Sequence, residues 1–263
     1  MLLCAALLLL SGVRLGAFFV RTAREQARFE ALAASFDRTE APRTEVGAAE
    51  DGQATIPPAE RGETPPEGEN AQRFAPLLAE NPDFCGWLSI EGTNVDHPVM
   101  YTPEEPDRYL HLDFSGSESV SGTPYIGAGC TPESDNVLIY GHNMKNGTVF
   151  ADLLQYADEE FFKAHGTVCF DTVGECGTYE IIAAFRERVH YADEEGVFRY
   201  YDYGGTLTQE AFEEYTAQIS AHSLYDTCRS ASYGDRLLTL STCAYHVPNG
   251  RFVVVAVKRD AAK

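Results

Sequence analysis

From residue 71 onward the chain alternates short runs of β-branched and aromatic residues with turn signals. Such runs cover 87–90, 123–126, 137–140, 167–170, 179–189, 236–242 and 251–257, and this patterning predicts strands. Val253, Val254, Val255 and Val257 form a run that is buried on both faces or closes a barrel. Helical spacing shows in three places. Residues 70–80 form a short amphipathic pattern ended by Asn81-Pro82, with Pro76 inside it. Thr148 or Asn146 caps 149–156, where Phe150, Leu153 and Leu154 share a face. Thr208 caps 209–220, where Phe212, Tyr215 and Ile219 recur at spacings of three and four. Strands outnumber helices and no βαβ rhythm appears, so the expected class is mainly β, a barrel or sandwich with inserted helices.

The first seventy residues follow other rules. Residues 1–20 are apolar except for Ser11, Gly12, Gly16 and Arg14, and a helix of that length spans about 30 Å, the thickness of a bilayer core. The expectation is an uncleaved single-pass anchor, with a cleaved signal peptide as the competing reading. Arg21, Arg24 and Arg28 follow the span. The positive-inside rule would put that flank in the cytoplasm, whereas everything downstream argues for the outside. Residues 22–38 carry Ala, Glu and Arg at helical spacing. Residues 40–69 hold five prolines and eight acidic residues, with Val46 and Ile56 as the only large aliphatics. Such a stretch cannot bury enough apolar area to offset its ordering entropy. The expected division is therefore 1–20 anchor, 21–70 stalk and acidic linker, and 71–263 one folded domain.

Of 263 residues, 44% are hydrophobic and 23% charged, a balance that supports a core. Forty acidic against twenty basic side chains leave a net charge of −20. That excludes a phosphate-tracking nucleic-acid binder and a polybasic membrane-surface protein.

One segment concentrates the chemistry. Leu238-Thr-Leu-Ser-Thr-Cys243 is followed by a Gly-containing turn, Arg251 and a valine-rich strand. The two strands form a hairpin with Cys243 and Arg251 side by side at one rim. Attack of a thiolate on a carbonyl needs a proton-transfer partner and a stabiliser for the oxyanion, and arginine supplies the second as a fixed, multi-donor charge. His142, after the strand Asn136-Val-Leu-Ile-Tyr-Gly, projects from a rim and supplies the first. His246, three residues after Cys243, is its rival; otherwise it is a solvent-facing loop residue.

These motifs resemble a sortase, specifically class B. The resemblance is carried by TLSTC, RFVVVA and DNVLIYGHNM, and by Asn81-Pro-Asp-Phe-Cys-Gly-Trp-Leu-Ser-Ile and Tyr109-Leu-His-Leu-Asp-Phe upstream. It covers about residues 72–259 in order, and the 208–220 helix resembles the class B insertion before the Cys-bearing strand. It implies an eight-stranded barrel with inserted helices and a membrane-anchored cysteine transpeptidase outside a Gram-positive cell. Cys243 would cleave a sorting motif of the NPxTN or PxTG kind after threonine. A peptidoglycan amine, or a pilin lysine, would resolve the acyl-enzyme, and water would make it a protease. The resemblance assigns His142 as general acid/base and Arg251 to the oxyanion, with Ser241, Thr242, Met100 and Phe198 contacting the substrate. Partners would be sorting-motif surface proteins and the cell-wall amine. No cofactor is implied. Two departures stand out: Ala244 where relatives often carry an acid, and only eight residues from Cys243 to Arg251.

The other cysteines lack CxxC spacing, which argues against zinc. Cys169 and Cys176 flank a hairpin pattern that a disulfide could close, with two free thiols as the alternative. His165 reads as a helix C-terminal contact. His97, His111, His190 and His222 read as packing or surface residues, and Asp193-Glu-Glu195 as a solvated turn. A papain-like CGSCW or an L,D-transpeptidase SHGC cluster is absent. The non-enzyme alternative is an inactive surface-binding module on the same barrel.

Overall fold

The computed structural model describes residues 68–259 and, before them, positions 11, 16, 20, 24, 26–29, 31, 32 and 34. Eight strands close into a barrel: β1 (Phe84–Ser89), β2 (Asp96–Met100), β3 (Tyr125–Ile126), β4 (Asn136–Tyr140), β5 (Thr167–Thr172), β6 (Thr178–Arg188), β7 (Leu237–Cys243) and β8 (Gly250–Arg259). The order around the barrel is β1-β2-β3-β4-β7-β8-β6-β5. Only β2–β3 and β4–β7 are parallel.

The β6–β8 and β7–β8 antiparallel ladders are its longest pairings. Val253, Val254, Val255 and Val257 are fully buried, so both faces of β8 are covered, as the unbroken apolar run requires. The seven expected strand regions all hold strands. The eighth, β2, lacks a β-type run because His97 and Pro98 occupy its centre.

Within residues 68–259 three α-helices decorate the barrel: α1 (Glu69–Glu80), α2 (Glu159–Ala164) and α3 (Gln209–His222). On α3, Phe212, Tyr215 and Ile219 are buried and the Thr208 hydroxyl accepts from Ala211 N–H, which is the expected cap and face. The segment expected as a helix from 149 is instead a 3-10 helix, Ala151–Ala157. Val149, buried and β-branched, has φ 58, so an α-helix cannot begin there. Asp158 then caps α2 by accepting from Glu160 N–H.

A buried polar chain fastens α3 to the barrel. Thr239 Oγ1 donates to Asn136 Oδ1 (2.9 Å), and its oxygen accepts from Tyr215 OH at 2.7 Å. Asn136 Nδ2 in turn donates to Tyr203 O at 2.8 Å. Every member is paired, the condition under which a buried polar network fixes one arrangement.

The single-pass anchor expected at residues 1–20 is corrected: among the described residues no helix is long and apolar enough to cross a membrane. Most of that stretch, and the linker up to residue 67, lies outside the described residues. The described helical positions that follow turn toward the barrel instead. Phe29 is buried and meets the His97 ring edge-on at 4.8 Å, and Arg28 pairs with Asp113 at 2.5 Å. The expected localisation, single-pass with the catalytic domain outside, is withdrawn with it.

No disulfide joins Cys169 and Cys176. The β5–β6 register sets Cys169 opposite Thr178, while the Cys176 thiol contacts Asn70 Oδ1 at 3.4 Å.

His97 is completely buried, and neither ring nitrogen makes a hydrogen bond of ordinary geometry, although backbone of Asn94 and Val149 lies nearby. Burial lowers its pKa from 6.5 to about 4, against the opposing pull of Asp96. The unfolded chain therefore binds this proton first as the pH falls. His97 leaves stability intact above about pH 6.5 and removes it progressively down to about pH 4, by about 3 kcal/mol in all. Urea unfolding across this range should show that loss, and His97→Leu should make the slope shallower; equal slopes in both proteins would contradict it.

Candidate active site

The parallel β4–β7 register pairs Tyr140 with Ser241, so two residues further on His142 stands level with Cys243. Beyond the paired strands the ladder is continued by Gly141 N–H to Ser241 O (3.2 Å) and the Thr242 hydroxyl to Gly141 O (2.7 Å). Asn143 Nδ2 donates to the Cys243 carbonyl at 2.9 Å. On the other side of β7, Cys243 lies directly opposite Arg251 of β8, on the same face of the sheet. One rim thus carries a thiol, an imidazole and a guanidinium, all three half-buried.

The eight-residue Cys-to-Arg spacing closes neatly. Ala244 N–H bonds Gly250 O (2.9 Å) and Gly250 N–H bonds Val247 O (3.1 Å), while Asn249 takes φ 56. Gly250 is required, because a Cβ there would meet the Ala244 carbonyl oxygen and lie 2.9 Å from Val247 O. His246 sits in this loop, exposed. Arg251 Nη1 donates to Gly250 O at 3.1 Å, and no carboxylate among the described residues pairs with it.

His142 is held by its ring. Nε2 lies 2.8 Å from Leu110 O; a carbonyl only accepts, so Nε2 carries a proton and Nδ1 is the open position of the neutral ring. Leu110 itself is fixed by the close approach of Gly122, at φ +59, where a Cβ would fall 2.5 Å from the Leu110 oxygen. Burial lowers the His142 pKa below the ordinary imidazole value, the Leu110 carbonyl opposes this, and the neighbouring His111 adds to it.

The four expected substrate contacts are all buried. Ser241 shares a 2.8 Å hydrogen bond with Tyr200 OH, and Thr242 is tied to Gly141. Met100 is wholly enclosed in the cluster of Phe74, Phe84, Trp87 and Tyr125. Phe198 packs 5.0 Å from the His222 ring, apart from Met100. Tyr125, Tyr140 and Tyr200, which the sequence reading passed over, surround the rim, and burial raises all three phenols. Tyr140 had one signal, its position two residues before His142 on the same strand face.

Elsewhere, burial raises the Cys85 and Cys130 thiols. The expected solvated turn at 193–195 is a clasp: Glu194 accepts from Tyr191 N–H, His190 and Arg188, which lower its pKa to about 2. A partly open pocket of about 280 Å³ lies between Arg28, Phe29, Glu80 and Phe114, and none of its walls belongs to this rim. Among the described residues no group of three or more His, Cys, Asp or Glu side chains is arranged to hold a metal ion.

A thiol flanked by imidazole and guanidinium at the end of a closed barrel defines a cysteine acyl-transfer enzyme. The sortase domain family matches residues 88–259. Sortase B of Listeria monocytogenes is 32% identical over 178 residues, 67% of this chain and 69% of that protein. Sortase B of Staphylococcus aureus is 26% identical, covering 70% and 73%. The crystal structure of a mutant Clostridium perfringens sortase B superposes with a TM-score of 0.65 at 32% identity, covering 73% of this chain and 88% of that one. The chain belongs to the sortase family, as a class B sortase, and is a cysteine transpeptidase.

Asn143→Ala removes the bond that ties the strand end after His142 to the Cys243 carbonyl. It is expected to lower kcat/KM about five- to tenfold, the worth of one hydrogen bond, with an unchanged circular dichroism spectrum. Full activity would show that the ladder alone sets the rim.

Proposed function

We propose that this transpeptidase cleaves a C-terminal sorting motif of the NPxTN or PxTG kind after threonine and passes the acyl group to a peptidoglycan amine. The observation that carries this reading is the direct pairing of Cys243 with Arg251 beside a ring-held His142. In the proposed reaction the Cys243 thiolate forms a C–S bond to the threonine carbonyl. Arg251 donates to the developing oxyanion, and the scissile C–N bond breaks as His142 protonates the departing amine. The acceptor amine then gives a proton to His142, attacks the thioester and expels the thiolate. Ser241 and Thr242, the buried residues just before Cys243 on β7, are proposed as the floor beneath the motif; Met100, enclosed in its aromatic cluster, and Phe198, against His222, do not share that floor. The client proteins would be surface proteins ending in that motif.

Fluorogenic peptides of the NPQTN, PPKTG and LPxTG types, with and without an added amine, test this beside Cys243→Ala. The expected result is Cys243-dependent cleavage of one motif that shifts to a ligated product when amine is present. Products insensitive to amine would indicate a protease, and ligation only to a pilin lysine peptide would indicate a polymerase.

The proposed pair requires thiolate and imidazolium together, so kcat/KM should be bell-shaped in pH. Because burial disfavours the His142 imidazolium, the acid limb should fall below the ordinary imidazole value of about 6.5. A rate rising monotonically to high pH would contradict it. Arg251→Lys should cost about a hundredfold despite the retained charge, since the forked donor geometry is lost.

A further inference from the structure

The sequence marks His111 only as a packing or surface residue, but its ring lies against His142, with centroids 5.8 Å apart and planes 26° from parallel. The ring is exposed, but the backbone beneath it is not free to move. Tyr109, almost completely buried, donates from its hydroxyl to Asp83 Oδ2 (2.9 Å) and accepts from Asn81 Nδ2 (2.7 Å). Its carbonyl takes Thr123 N–H at 3.0 Å, and the His111 carbonyl takes Ser119 N–H at 2.8 Å. One short pinned segment therefore grips His142 twice, by the Leu110 carbonyl at Nε2 and by the His111 ring on its face.

We propose that His111 is a positioning residue for His142: its ring fixes the imidazole from one face, and its charge, when present, opposes protonation of that imidazole. The inference rests on the proposed role of His142 as general acid and extends it. A positive charge at this separation disfavours a second one on the His142 ring. The other ionisable groups of this rim are Cys243 and Arg251 at the β7 and β8 ends, Tyr125 and Tyr140 on β3 and β4, and Asp107 just before the pinned segment. The charge that reaches His142 is that of His111, and it acts in the same direction as burial.

The test separates this coupling from the transfer reaction. Histidine Cε1–H signals of the full chain are followed by NMR across a pH titration without substrate, the His142 signal being identified by its loss in His142→Gln. His111→Phe keeps a stacked ring without charge and should raise the His142 midpoint by about half a pH unit; His111→Lys carries a permanent charge and should lower it by a similar amount. The acid limb of kcat/KM should move with the midpoint in each variant. An unmoved midpoint in both variants, or displacement in the same direction in both, would overturn the proposal, since a purely packing role has no charge sign. If the midpoints move in opposite directions while no sorting peptide is turned over, the coupling stands and the proposed sorting reaction falls.

Discussion

The site depends on one pairing, the parallel contact of β4 with β7. Parallel neighbours cannot be joined by a tight turn, and here the chain adds β5 and β6 elsewhere in the barrel and crosses α3 before β7 begins. The register of that contact, Tyr140 with Ser241, decides whether His142 and Cys243 reach the rim at the same height. A slip by one residue would send one of the two side chains to the opposite face. The β8 strand then follows β7 by a short turn and brings Arg251 opposite the cysteine. The imidazole–thiol pairing is therefore a long-range product of the sheet, while the thiol–guanidinium pairing is local.

The buried polar chain through Tyr215, Thr239, Asn136 and Tyr203 locks this register from behind. It runs from α3 through β7 and β4 to the segment carrying Tyr200, whose hydroxyl meets Ser241. A shifted β7 would leave several of these buried groups without partners, at about 1–3 kcal/mol each. The interior of the barrel is apolar and nonspecific in register; the specificity comes from these few polar atoms.

Cys243, His142 and Arg251 were legible because each stands at the end of a strand whose pattern is plain in the sequence, and the collinear motifs supplied the family. The α3 helix was legible through Thr208 and its buried face. What the sequence concealed is nonlocal or locally contradictory. The β2 strand carries His97 and Pro98 where a strand pattern expects β-formers, and it holds because burial on both sides outweighs propensity. The helix expected from 149 fails on one backbone angle, at Val149. His111 has an exposed polar residue's sequence signature, and only the fold sets its ring against His142. The apolar run at residues 1–20 satisfied a length criterion for a membrane span, but among the described residues no helix is long and apolar enough to cross one.

The long separation across the β4–β7 pair also bears on how the enzyme comes into being. Thr242 and Gly141, bonded to each other, are 101 residues apart in the chain, and contacts of that range form late because a large loop must close first. Before that closure Cys243 has no imidazole at its level. For the roles proposed above, barrel closure and the onset of reactivity then coincide, and a chain still in the course of folding is chemically quiet toward its own neighbours.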